Sequence, residues 1–139
     1  MRSDQKRIHA ALEELSEKDL RLLACFWAEH ALSVWGRNHK GDDRPKNIIE
    51  ASRKYVAGRL SYEELSILRE KMPLSEISPG DEFSAFYAAK SCAHISALEA
   101  AKRSSDGVSC TGNTVEIRQQ HFNDIKSVLF GDHPWENAN

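Results

Sequence analysis

The segment from Glu17 to Trp35 (EKDLRLLACFWAEHALSVW) constrains the fold more than any other part of the sequence. Apolar residues recur in it at steps of three and four, and a second apolar stripe runs beside the first. A helix that is apolar on most of its circumference is normally buried. The segment is too short and too interrupted by charge to cross a bilayer. We therefore expect one continuous central helix with Trp27 in the core.

Composition and charge bound the class of protein. The chain has 139 residues, 40% hydrophobic and 29% charged, which is typical of one globular domain. Its net charge of -2 gives no long-range attraction to nucleic acid or anionic lipid. The start, MRSDQKR, is polar at once, so we expect no signal peptide and a cytoplasmic protein. Cys25, Cys92 and Cys110 lack a C-x-x-C spacing, and we expect reduced thiols.

The rest of the chain predicts further helices and no strand. Ser16, Ser61 and Asn113 are placed to cap helices, and Asp42 or Asp43 is placed to cap another. The prediction is an all-α, single-domain bundle of about six helices around the buried central helix. Residues 1–132 form the helical domain, and residues 133–139 are predicted to be a flexible C-terminal tail.

The second half of the chain is predicted to contain two of these helices. One runs from Asp81 to about Arg103, with a face of small residues suited to close packing against the central helix. Residues 104–113 (SSDGVSCTGN) are expected to form a flexible connector with two glycines. The last helix runs to about Phe130, and its inward stripe is Ile117, Phe122, Ile125, Val128 and Leu129.

Two histidines raise the alternative of a metal-binding helical-bundle enzyme or sensor. His30 and His94 lie in apolar helices that should touch. Metal sites, however, use three or four ligands at regular spacing, and Glu29 directly precedes His30 and so points to another face. We predict hydrogen-bonded histidines, no metal and no cofactor. We expect four others to be exposed: His9, His39, His121 and His133.

No motif for catalysis or nucleic-acid binding emerges from the remaining residues. A Cys–His or Ser–His nucleophile would need an oxyanion hole and an orienting group, and no flanking motif supplies them, so we predict no catalytic residues. A basic cluster on or beside the third predicted helix keeps a helical adaptor or nucleic-acid binder as an alternative, although it lacks interleaved aromatic residues. The cluster is Arg44, Lys46, Arg53, Lys54 and Arg59.

One long block carries a family resemblance. WAEHALSVWGRNHKGDDRPKNIIEASRKYVAGRLSYEEL is similar to the N-terminal half of the Imm-5-like putative immunity proteins of bacterial polymorphic toxin systems, and DDRPKNIIEA is its most specific part. YAAKSCAHISALEAAKRSS and EIRQQHFNDIKSVLFGD resemble later helices of that family. The resemblance implies a small helical cytoplasmic protein that binds and neutralises a cognate toxin without a catalytic group.

A protein of this kind needs a surface complementary to its toxin. An acidic patch would match the basic cleft of a toxin such as a nuclease. We predict that Glu63 and Glu64, near the turn at Asp42 and Asp43, contribute to such a partner-binding surface. For Asp42 and Asp43 a structural role, as cap, turn and ion pair with Arg44, is the stronger interpretation.

Overall fold

A computed structural model describes residues 1–136, and within that range the protein contains helices and no strand. This confirms the predicted all-α class. Two short 3₁₀ turns, Leu74–Glu76 and Pro134–Glu136, accompany the α-helices. The α-helices are α1 (Ser3–Leu12), α2 (Glu17–His30), α3 (Leu32–Gly36), α4 (Arg44–Val56), α5 (Tyr62–Glu70), α6 (Asp81–Ser91), α7 (Ala97–Ser109) and α8 (Thr114–Leu129).

Side-chain caps define where several helices begin. The Ser16 hydroxyl accepts a hydrogen bond from the backbone N–H of Asp19 at 3.1 Å. Ser61 and Glu64 form a reciprocal capping box at the start of α5. Asn113 caps α8, as its sequence position predicts. Such a cap satisfies N–H donors that the first helical turn leaves unpaired, so Ser and Asn are preferred there. These three helix starts could therefore be predicted from the sequence.

The predicted central helix is two helices. α2 ends at His30 and α3 begins at Leu32, because the backbone at Ala31 turns to φ -94 and ψ -2. α2 makes its most extensive contact with α7 and also packs against α4 and α6, so its central position is confirmed. Trp27 is 1% exposed, as the sequence predicts for a core residue. Cys25 and Cys92 are buried, and all three thiols are free.

The predicted fifth helix is also two helices, α6 and α7, and the predicted connector at 104–113 is wrong for residues 104–109, which belong to α7. A side chain from another helix, α2, stabilises the break between them. The Arg21 guanidinium donates hydrogen bonds to the carbonyls of His94 and Ile95 at 2.8 Å each. Ser96 then caps α7 by accepting from the N–H of Glu99. The alanine-rich sequence conceals this turn because alanine favours an unbroken helix.

Small residues let α6 and α7 approach closely. A β-carbon placed on Gly107 would lie 2.9 Å from the carbonyl oxygen of Ser84 and 3.0 Å from Cβ of Ala88. The Ser104 hydroxyl donates to the carbonyl of Ala88 at 3.0 Å across the same contact. Gly107 is therefore a packing residue within α7. The sequence predicts that the small-residue face packs against the central helix, and both α6 and α7 do contact α2. The close contact between α6 and α7 themselves was not predicted.

After α8 the chain folds back onto the bundle. Trp135, in the turn Pro134–Glu136, is half-buried against the core, and Nε2 of His133 lies 3.5 Å from the Asp19 carboxylate. Residues 137–139 of the predicted tail lie outside the described residues. The domain boundary at residue 132 stays a prediction. Within residues 1–136 no helix has both the length and the apolar character needed to cross a membrane.

Candidate functional site

The turn before α4 fixes the carboxylate of Asp42. It accepts hydrogen bonds from Nε of Arg44 at 2.9 Å and from Nη2 of Arg44 at 2.7 Å. The pKa of Asp42 is lowered, chiefly by the hydrogen bond from Arg44. Asp43 stands at the N-cap position, but its side chain makes no capping hydrogen bond. The predicted ion pair is present, and Asp42 rather than Asp43 engages the start of the helix.

The second acidic pair lies in the first turn of α5. The Glu64 N–H donates to the Ser61 hydroxyl at 3.1 Å, and its carboxylate accepts from the Ser61 N–H at 3.4 Å. Glu63 is exposed, and its carboxylate has no hydrogen bond or ion pair with residues 1–136. Glu64 is therefore partly committed to holding the helix end, whereas Glu63 is available to a partner.

The two acidic pairs lie at opposite ends of the α4–α5 pair, so the predicted proximity of Glu63 and Glu64 to the Asp42–Asp43 turn is wrong. Nη1 of Arg44 donates to the carbonyl of Lys71, which places the start of α4 beside the end of α5. At the other end, the ring centroids of Tyr55 and Tyr62 are 5.6 Å apart. The Asp42–Asp43 pair and the Glu63–Glu64 pair are therefore separated by about the length of α5, which has 9 residues at a rise of about 1.5 Å each.

The outer side of α5 combines apolar and acidic groups. Ile67 and Leu68 are 50% and 36% exposed, although both are large hydrophobic residues. They lie one helical turn after Glu63 and Glu64, so each shares a stripe with one carboxylate. We call these four residues the α5 face. α5 itself is fixed to the rest of the bundle, because Leu65 is fully buried and the Tyr62 hydroxyl donates to the carbonyl of Ala93 at 3.0 Å.

A half-open cleft of about 400 Å³ lies where α2 meets the end of α7 and the first two-thirds of α8. The Trp27 and His121 rings stack in it with centroids 4.2 Å apart, and Phe26 meets His30 edge-on at 4.7 Å. Aromatic and aliphatic side chains line most of the cleft, with a few polar groups among them. The lining residues are Phe26, Trp27, His30, Val108, Thr111, Ile117, Gln120, His121 and Asp124.

Two buried titratable groups give the cleft its polar character. The Asp124 carboxylate accepts hydrogen bonds from Nε1 of Trp27 and Nε2 of Gln120, both at 2.8 Å, and burial raises its pKa. The hydrogen bond from Trp27 opposes that shift. Burial lowers the pKa of His121 to about 3. At neutral pH His121 is therefore an uncharged ring, with Nδ1 at 2.7 Å from the Ser105 hydroxyl.

The prediction that His121 is exposed is wrong, because His121 is only 3% exposed. Its spacing could have revealed this, since it stands four residues after Ile117 and four before Ile125, in the inward stripe of the last helix. Leu129, predicted to face inward, is 45% exposed. Asp124 and the cleft itself were not identified from the sequence.

The structure does not bring His30 and His94 together. The carbonyl of His94 is bound by Arg21 near the start of α2, whereas His30 ends that helix about 13 Å further along. His30 is exposed, and Nδ1 of His94 accepts from the N–H of Ser96. In the described part of the chain, no group of three or more His, Cys, Asp or Glu side chains is arranged to hold a metal ion.

The basic cluster on α4 is partly consumed by internal contacts. Arg44 pairs with Asp42 and also lies over the Phe86 ring, 5.2 Å from its centroid. Arg53 pairs with Glu29 on α2. These two guanidinium groups therefore hold helices together, which leaves a weaker basic surface than the sequence indicates.

Comparison with known proteins gives one family match. The family model described as "Imm-5 like putative immunity protein" matches residues 10–72, from within α1 to just beyond α5. The matched region includes the DDRPKNIIEA block, so the resemblance is confirmed there. The likeness of the two later segments stays a prediction. Neither a curated protein nor a solved structure matches the chain.

Proposed function

We propose that this chain, similar over residues 10–72 to the Imm-5 like family, is an immunity protein that binds and neutralises a cognate bacterial toxin in the cytoplasm. The family match is the observation that carries the proposal. Neutralisation of this kind requires a rigid scaffold and a complementary surface and needs no reacting group on the immunity protein.

The α5 face is our candidate for the toxin-binding surface. A typical protein interface has an apolar centre and a polar rim. Ile67 and Leu68 supply exposed apolar area, and Glu63 and Glu64 supply negative charge beside it. A toxin that acts on nucleic acid has a basic cleft, and this face would complement it in charge.

Asp42 and Asp43 form a second candidate contact at the other end of the α4–α5 pair. Asp42 is already bound by Arg44, so its charge is largely satisfied within the molecule. Asp43 is exposed, and its carboxylate has no partner within residues 1–136. We therefore expect Asp43 to contribute more to binding than Asp42, and the α5 face to contribute more than either.

Co-expression tests the function itself. The chain should restore growth to bacteria that express the toxin encoded beside its gene, and the two proteins should co-purify. A neighbouring toxin whose activity continues in the presence of excess chain, with no complex formed, would contradict the proposal.

Charge reversal tests the surface. Glu63→Lys should weaken toxin binding by at least about tenfold, because it replaces an attraction by a repulsion. Glu116→Lys is the matched control, since Glu116 is an exposed acid in the first turn of another helix, α8. Affinities are measured by calorimetry, and thermal unfolding verifies that both variants fold. Equal affinities for the two variants would remove the α5 face from the proposal but leave the neutralising function intact.

A further inference from the structure

The cleft between α2, α7 and α8 has the composition of a binding site, and neither the family match nor the α5 face accounts for it. Its floor is formed by Trp27 and His121, which are 1% and 3% exposed, and Phe26 stands at its side. Ligand sites in proteins are typically apolar clefts with a few convergent polar groups. A volume of about 400 Å³ is ample for a single aromatic-sized group.

Asp124 contributes a buried negative charge, and no cation among residues 1–136 is in contact with it. Its two hydrogen-bond partners, Trp27 and Gln120, are both neutral donors, so each carboxylate oxygen acts as an acceptor, as an ionised group requires. Each oxygen retains a further lone pair for a ligand. A charge in a poorly solvated place is stabilised strongly by an opposite charge that enters the same place.

His121 presents a second polar atom to the same cleft. Nδ1 bonds the Ser105 hydroxyl, and Nε2 makes no hydrogen bond with residues 1–136. The Ser105 hydroxyl can accept as well as donate, so the tautomer with hydrogen on Nδ1 leaves Nε2 as an acceptor. Because burial holds the pKa of His121 at about 3, the ring stays neutral and does not repel a cation.

We propose that this cleft binds the flat head group of an organic monocation of the guanidinium or amidinium class, with Asp124 as its counter-ion and the aromatic rings as its walls. Such a head group donates several hydrogen bonds, which suits the free lone pairs of Asp124 and, in the tautomer with hydrogen on Nδ1, that of Nε2 of His121. Its flat faces stack on aromatic rings, whereas an ammonium ion is more strongly hydrated and has no such faces. An anion would be repelled by Asp124.

The indole signal of Trp27 provides a direct measurement, because its N–H donates to Asp124. Benzamidine is the probe, and benzamide is its neutral analogue of nearly the same shape. In a two-dimensional ¹⁵N–¹H titration of the whole chain, benzamidine should shift the Trp27 signal saturably, and benzamide should bind at least about tenfold more weakly. Absence of saturable binding, or equal binding of the two compounds, would overturn the proposal.

Three variants assign the binding to Asp124. Asp124→Asn keeps an acceptor for Trp27 but removes the charge, and it should weaken benzamidine binding at least about tenfold. Gln120→Lys leaves the core unchanged, since Gln120 is exposed, and places an ammonium one helical turn from Asp124 as an internal competitor. Gln120→Lys should weaken benzamidine binding to the same extent, and it replaces Asp124→Asn in the test if that variant does not fold. Glu50→Gln removes one charge from an exposed acid on α4, away from the cleft, and should leave the affinity unchanged.

The origin of the cation is distinguished by a second pair of probes. N-acetyl-arginine amide represents an arginine side chain of a protein, and the corresponding citrulline derivative lacks its charge. Binding of the arginine derivative together with benzamidine would assign the cleft to a side chain, and binding of benzamidine alone would assign it to a free small cation. Either outcome supports the site. Retention of benzamidine binding by both Asp124→Asn and Gln120→Lys would overturn it.

Discussion

His121 is buried as a neutral ring because burial and nearby positive charge disfavour its protonated form. Burial is the main cause of its lowered pKa, and the nearby His30 and Arg118 act in the same direction. The Ser105 hydroxyl satisfies Nδ1 without requiring a charge. At neutral pH the uncharged ring packs against Trp27 and stabilises the native state. In acid it destabilises the native state.

Stability should fall as the pH drops from about 6.5 toward 3. In that range His121 gains a proton in the unfolded chain and not in the native one, so unfolding takes up protons and acid favours it. The raised pKa of Asp124 acts oppositely, since the native state then binds the extra proton. Since the pKa of His121 falls from 6.5 to about 3, its contribution should lower the free energy of unfolding by a few kcal/mol across that range.

Replacement of His121 by Gln should flatten this pH dependence. Urea unfolding of both proteins at pH 7, 6 and 5 gives the comparison, and the slope should be smaller in His121→Gln. Some slope should remain, because burial also lowers the pKa of His94. Parallel pH profiles for the two proteins would mean that His121 is solvated in solution.

At the scale of elements, most helices could be predicted from their capping residues and apolar stripes. The two breaks, between α2 and α3 and between α6 and α7, could not. The kink at Ala31 and the turn after α6 occur where no proline or glycine interrupts the chain. The second break depends on Arg21, some seventy residues away, whose guanidinium binds two carbonyls there. A contact of that kind is invisible to local patterns, because it arises only after the helices have packed.

The close contact of α6 with α7 leads to a prediction for Gly107. Gly107→Ala should destabilise the protein by about 1–3 kcal/mol, because the new methyl group meets the backbone carbonyl of Ser84, which cannot move aside cheaply. Gly36→Ala is the matched control, since a β-carbon there meets nothing within 4 Å. It should be neutral or slightly stabilising. Chemical denaturation measures both, and equal effects would contradict tight helix packing at Gly107.

At the scale of the whole molecule, the candidate sites were only partly predictable. Acidic residues at helix starts are visible in a sequence, so Glu63 and Glu64 could be proposed. Their distance from Asp42 depends on how α4 and α5 pair. The cleft could not be predicted at all, because Trp27 and Asp124 are 97 residues apart in the sequence and become neighbours only in the folded chain. A surface can therefore be proposed from charge alone, whereas a cleft needs the tertiary fold.

The segment after α8 tests how the ends of the molecule contribute to its stability. Trp135 packs against the core, and His133 lies beside Asp19 at the start of α2, so this segment links the last helix to the central one. Removal of residues 133–139 should lower the free energy of unfolding by about 1–3 kcal/mol, mainly through the apolar area that Trp135 buries. Trp135→Ala in the full chain should reproduce most of that loss. If both changes leave the urea midpoint unchanged, the segment behaves in solution as the flexible tail predicted from the sequence, and the domain ends near residue 132.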